Sequence, residues 1–62
     1  MLTEAEATYR AVRQEVAQLS DVRLGHRYRK LRRQTATAST ERLVELAAMR
    51  HAMQARGLEV PS

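Results

Sequence analysis

Two amphipathic helices joined through a short basic segment predict an α+β domain in which two antiparallel helices pack on a β-hairpin. Three observations lead there. A helix start signal opens an apolar stripe over residues 3–19, and a second stripe over residues 40–56 closes on a glycine. Between them, residues 22–35 (VRLGHRYRKLRRQT) alternate apolar and basic side chains around Gly25. An all-α helical hairpin is the alternative class. The expected organisation is one domain over residues 1–58, with helices 3–19 and 40–56 flanking a hairpin at 22–35. Residues 59–62 form a short tail.

The first helix begins at Thr3-Glu4-Ala5-Glu6, which has the Ser/Thr-x-x-Glu form of a capping box. Thr3 is the N-cap, Glu6 returns to its backbone N–H, and both glutamates sit where the helix dipole favours negative charge. Leu2, Ala5, Tyr9, Val12, Val16 and Leu19 follow at spacings of 3, 4, 3, 4 and 3. At helical pitch they fall within an arc of roughly 100°, one core-facing stripe. Glu6 and Arg10 form a favourable i, i+4 pair. The stripe is shorter than the three heptads a coiled coil needs.

The middle segment fits two patterns. Val22, Leu24 and Tyr28 share parity, with Arg23, Arg27 and Arg29 on the other, as on a half-buried strand pair. Leu24, Tyr28 and Leu31 are also spaced 4 and 3, which suits a short helix. The hairpin is preferred for three reasons. Gly25 would weaken a helix interior by about 0.8–1 kcal/mol relative to alanine, yet suits a turn. Six like charges would repel along a helix surface. A loop at Gly25-His26-Arg27 sets Leu24 opposite Tyr28 and Val22 opposite Lys30, on one apolar face. Such a hairpin is marginal alone and must pack on the helices.

Gln34-Thr35-Ala36-Thr37-Ala38-Ser39-Thr40 reads as a polar connector ending in a cap, either Ser39 or Thr40, with Glu41 in the first turn. The second helix carries Leu43, Leu46, Ala47, Met49 and Met53 on a broader arc of about 160°. It should end in a Schellman motif, with Gly57 at C′ and Leu58 at C″ touching Met53, and Pro61 prevents it from resuming. Glu59-Val60-Pro61-Ser62 has nothing evident to fold onto. Arg50 lies inside the apolar arc, either as a stem covering apolar surface with its head in water or as an ion pair across a subunit interface. Met49, Met53 and Leu58 join Arg50 as interface candidates, although the methionines read first as core.

Composition narrows the function classes. A chain of 62 residues without cysteine has a marginal core and no disulfide or thiolate metal site to support it. His26 and His51 lack the close companions that a zinc site requires. The chain is too short to wall a catalytic pocket, and it shows neither a Gly-rich phosphate loop nor a Gly-x-Ser-x-Gly motif. No catalytic residue, metal or cofactor is expected, and no membrane span or signal peptide. The remaining way to stabilise so small a domain is to bury surface on copies of itself or on a larger assembly.

Charge supplies the strongest functional signal. Three glutamates against Arg10 and Arg13 leave residues 1–19 at −1, and residues 35–62 balance three acidic side chains against three basic ones. Residues 20–34 hold six of the eleven Lys and Arg side chains (Arg23, Arg27, Arg29, Lys30, Arg32 and Arg33) against Asp21 alone, a net +5. These six are the candidate contacts for DNA or for an acidic partner.

The order of parts resembles the head-to-tail joining protein W family of tailed bacteriophages. The correspondence lies in helix, short basic hairpin, Thr-Ala-Thr, a capping serine or threonine, an acidic residue, Leu, and a second helix. It is closest over Gln34-Thr35-Ala36-Thr37-Ala38-Ser39-Thr40-Glu41-Arg42-Leu43, and covers about residues 4–55 with motifs of low specificity. The segment between the helices is a few residues shorter than is usual there, and the loop is Gly-His rather than Gly-Gly or Asp-Gly. The resemblance implies the two-helix and hairpin fold and a head–tail connector of a phage or phage-like gene transfer particle. Copies would form a homo-oligomeric ring beneath the portal protein after DNA packaging, seal the head and receive the next neck or tail protein. The protein would then be found in the host cytoplasm during assembly and in the virion afterwards. It would be monomeric alone and ordered on its portal, with a C-terminal segment that contributes to joining. The alternative is a small basic nucleic-acid-binding regulator, and a third reading is an all-helical binder of an acidic protein.

Overall fold

The computed structural model describes residues 2–34 and 39–60, and among them are three α-helices and no strand. Helix α1 spans Glu4–Val16, α2 spans Asp21–Arg33 and α3 spans Thr40–Ala55. Each is started by a hydroxyl cap in extended conformation. Thr3 accepts from the Glu6 N–H at 3.1 Å, Ser20 from the Arg23 N–H at 3.2 Å, and Ser39 from the Arg42 N–H at 3.3 Å. Ser39 rather than Thr40 is therefore the cap of α3. In the capping box the Thr3 hydroxyl donates to the Glu6 carboxylate at 3.0 Å, which replaces the expected return to the Thr3 backbone. The first helix ends at Val16, and a turn through Leu19 leads directly to Ser20.

The α+β expectation is overturned: what was read as a hairpin over residues 22–35 is α2, and Thr35 itself lies outside the described residues. Leu24, Tyr28 and Leu31 are buried at 0%, 4% and 7% exposure, while Val22 is 70% exposed. A hairpin looping at 25–27 would do the reverse to its ends, hiding Val22 and turning Leu31 outward. Magnitudes explain the outcome. Gly25 costs the helix about 0.8–1 kcal/mol, and exposed like-charge neighbours cost about 0.2–0.5 kcal/mol each. Burying each of Leu24, Tyr28 and Leu31 contributes about 1.5–3 kcal/mol. Lys30, Arg32 and Arg33 also fall in the last turn, where the helix dipole favours cations.

The predicted antiparallel relation of the outer helices is corrected as well. Glu4, Ala5 and Thr8 share a cleft with Ser39, Thr40, Glu41 and Val44. Further along, Tyr9 reaches His51, and the end of α1 reaches Arg56. The two helices advance together, because one returning helix replaces the two strands of a hairpin. Both α1 and α2 pack on α3. The core gathers Val16, Leu24, Tyr28, Leu31, Met49, Ala52 and Met53, with Val12, Leu19, Leu46, Leu58 and Val60 partly buried against it. Leu2 and Ala5, the first members of the α1 stripe, are exposed.

The end of α3 follows its local signals. Gly57 adopts φ 74°, the Leu58 N–H donates to the Met53 carbonyl at 2.9 Å, and the Gly57 N–H donates to the Gln54 carbonyl at 3.0 Å. These are the two bonds of a Schellman motif. Beyond it, Val60 packs on the core, so this part of the tail does have a surface to fold onto.

Arg56, the C-cap of α3, ties the three helices together. Its guanidinium donates to the carbonyls of Leu19 at 2.8 Å and Val16 at 2.9 Å, and to the Asp21 carboxylate at 3.0 Å. The Val16 carbonyl, which also accepts the Leu19 N–H at 3.0 Å, ends α1, the Leu19 carbonyl lies in the turn after it, and Asp21 is the first residue of α2. One side chain thus closes the α1–α2 turn from the far end of α3.

Candidate functional site

The fold presents α2 with its buried stripe against α3 and the rest of its circumference outward. Taken at about 100° per residue, the six basic residues occupy an arc of about 220° around the three buried ones. Arg23, Arg27, Arg29, Lys30, Arg32 and Arg33 are all exposed, as is His26. The sequence-predicted set is therefore brought together, on a helix rather than on strands.

The arginines are not equivalent. Arg27 forms an ion pair with Glu15 of α1, both side chains about half exposed. Among the described residues, no carboxylate is in ion-pair contact with Arg23, Arg29, Lys30 or Arg33. Four cations outside ion-pair contact on one helix make a surface that attracts anions. Guanidinium groups can hold phosphate or carboxylate through two parallel N–H donors, and a lysine supplies a point charge.

The other predicted candidates fall elsewhere. Met49 and Met53 are 5% and 3% exposed and belong to the core, and Leu58 is half-buried over the end of α3. Their side chains pack within the domain. Arg50 is exposed on α3. Its place within the predicted arc reflects a rotation of α3: the buried strip is Ala48, Met49, Ala52 and Met53, about 140° wide and turned away from Leu43 and Arg50, which are both exposed.

Two polar clusters were missed from the sequence. One is the Arg56 clamp, whose only signal is a basic residue just before Gly57. The other joins α1 to α3: the Tyr9 hydroxyl bonds the His51 Nδ1 at 2.8 Å and accepts from Arg13 at 3.3 Å, with the Tyr9 and His51 rings edge to face. Nothing in the spacing of Tyr9 and His51 announces that contact. It is a surface brace between two helices. Among the described residues no three His, Asp or Glu side chains assemble as metal ligands, and no helix is long and apolar enough to cross a membrane.

The fold and the face define a class: a small three-helix domain with one strongly basic, outward-facing helix. Comparison with protein-family models, with curated proteins and with solved structures finds no match. The phage resemblance therefore rests on the residues quoted for it. Of these, the Ser39 cap and the start of α3 through Leu43 are in place, and residues 35–38 lie outside the described residues.

Proposed function

We propose that this domain is a nucleic-acid-binding module that docks the exposed face of α2 on phosphates. The observation that carries the reading is the set Arg23, Arg29, Lys30 and Arg33, exposed and with no carboxylate in ion-pair contact among the described residues. Exposed ion pairs add only about 0–1 kcal/mol each, so stability gives little reason to collect such charge on one helix. Phosphate contact does, because each neutralised phosphate releases counterions and strengthens binding at low salt. The test is titration of a fluorescent 20-base-pair duplex at several salt concentrations. Binding should weaken with a log–log slope of about −0.9 per phosphate contact. Replacing Arg23, Arg29 and Arg33 together with glutamine should abolish most of it while the circular dichroism spectrum is unchanged. A triple variant that binds as tightly as the parent would reduce the charge to a solvated face.

A narrower setting for the same module is the head–tail connector of a phage or phage-like particle. In that reading a ring of copies beneath the portal turns α2 toward packaged DNA or toward an acidic rim on a neighbour. Its support is the Ser39-Thr40-Glu41-Arg42-Leu43 helix start together with the basic segment that precedes it. The hairpin expected of that family is no part of the argument. Co-sedimentation of the protein with portal rings tests it, and an absence of association would leave the nucleic-acid reading alone.

A further inference from the structure

Phosphate attraction accounts for the charge on α2 but not for the arrangement of its exposed side chains. Val22, His26, Arg29 and Arg33 are spaced 4, 3 and 4. At 3.6 residues per turn they form a ridge within an arc of about 60°, directly opposite the buried stripe of Leu24, Tyr28 and Leu31. Arg23, Arg27 and Lys30 line one shoulder of that ridge, and Arg32 stands on the other. Val22 is 70% exposed at the start of this ridge, beside Asp21, where neither solvation nor phosphate contact rewards an apolar side chain. Beside it Gly25 has no atom within 4 Å of where a Cβ would stand, so the flank of the ridge is open.

Size agrees with the sorting. A helix of 13 residues is about 20 Å long and, with its side chains, about 10–12 Å wide. The major groove of B-form DNA is about 12 Å wide and 8.5 Å deep, and admits such a helix if most of its circumference is free. Here the strip facing α3 is covered, Arg27 on one shoulder pairs with Glu15 of α1, and Leu58 and Glu59 border the Gly25 flank, while the ridge itself is exposed. Asp21 and Glu59 share a cleft with Val22, Gly25, His26 and Arg29 on the flank of the ridge away from Arg23 and Lys30, so the backbone contacts fall on the Arg23 and Lys30 shoulder and at Arg33.

We infer that α2 enters the major groove of duplex DNA, with His26, Arg29 and Arg33 at the base edges, Val22 positioned for a thymine methyl group, and Arg23 and Lys30 on the flanking phosphates. The inference rests on the nucleic-acid reading above and deepens it from phosphate attraction to groove entry and base contact. Arginine in the groove pairs with guanine O6 and N7, so the expected preference is for guanine opposite Arg29 and Arg33. An A-form RNA duplex has a major groove too narrow for the helix.

The experiment uses the whole chain with four probes: a random-sequence DNA duplex, the RNA duplex of the same sequence, heparin, and a duplex pool for selection. The DNA duplex should bind about tenfold or more tightly than the RNA duplex, and selection should enrich guanine-containing sites. Arg29→Ala and Arg33→Ala should each flatten the preference at one position. Lys30→Gln and Arg23→Gln should weaken all sequences alike and lower the salt slope by about 0.9 each. Equal affinity for DNA, RNA and heparin would overturn groove entry and leave the phosphate-docking reading standing. So would ridge variants that weaken every sequence in parallel. Absence of binding to any of the four would remove both readings. Circular dichroism of each variant separates loss of contact from loss of fold.

Discussion

Arg56 and Arg33 each close a helix, and they do opposite things. Arg56 ends α3 and is turned inward, with its side chain 25% exposed and its donors on the Val16 and Leu19 carbonyls and the Asp21 carboxylate. Arg33 ends α2 and is exposed, with no carboxylate in contact among the described residues. The difference is what lies opposite. The end of α3 meets the end of α1 and the turn that follows, where a planar cation with several donors can bond two carbonyls and a carboxylate at once. Among the described residues, no carboxylate or helix end takes up the donors of Arg33. Arginine in this domain is therefore structural at one position and available for binding at several others, and residue type alone does not separate the two.

That contrast can be broken from either side. The largest effect should come from Arg56→Ala, which removes the hydrogen bonds to both carbonyls and the ion pair at once. Hydrogen bonds to a charged group contribute about 1.5–3 kcal/mol, and partial exposure lowers the total, so a loss of about 2 kcal/mol is expected. Urea unfolding followed by circular dichroism would measure it. A change below about 0.5 kcal/mol, the range of ordinary surface substitutions, would remove Arg56 from the structural class.

Next in size is Gly25→Ala. A methyl group there meets open space inside a regular helix, so the substitution should stabilise the domain by about 0.8–1 kcal/mol. The sign is informative, because a glycine required by a turn would lose stability on the same change. Thermal melts of the two proteins decide it.

Glu15→Gln should cost no more than about 0.5 kcal/mol, since the Glu15–Arg27 pair is half exposed on both sides. It should also tighten duplex binding slightly by releasing Arg27 to the positive face, read as a lower Kd at low salt. The smallest stability effect is expected from Arg23, Arg29 and Arg33 replaced together by glutamine. Relief of like-charge repulsion balances the lost interaction with the helix dipole to within about 0.5 kcal/mol. Unfolding of that variant would place these arginines beside Arg56.

Much of this domain was legible locally. The Thr3 cap, the Ser39 cap and the Gly57–Leu58 closure of α3 depend on residues within a turn of one another, and each stands where its local pattern puts it. So does the basic cluster, because charge composition does not depend on conformation. The conformation of α2 was the point at which local reasoning failed. Gly25 and six like charges argue against a helix, while Ser20-Asp21 and the 4, 3 spacing of Leu24, Tyr28 and Leu31 argue for one. These signals are of similar size until α3 is present to bury the three apolar side chains, and that burial outweighs the rest. The Arg56 clamp and the Tyr9–His51 brace span 35 to 42 residues of sequence, and no local pattern encodes them. The sequence by itself determined where the first and last helices start, where the last one stops and where the charge collects. Only the tertiary structure decided that the charged segment is a helix, that α1 and α3 run together, and which arginines face inward, because each depends on apolar and hydrogen-bonding partners that folding alone brings into reach.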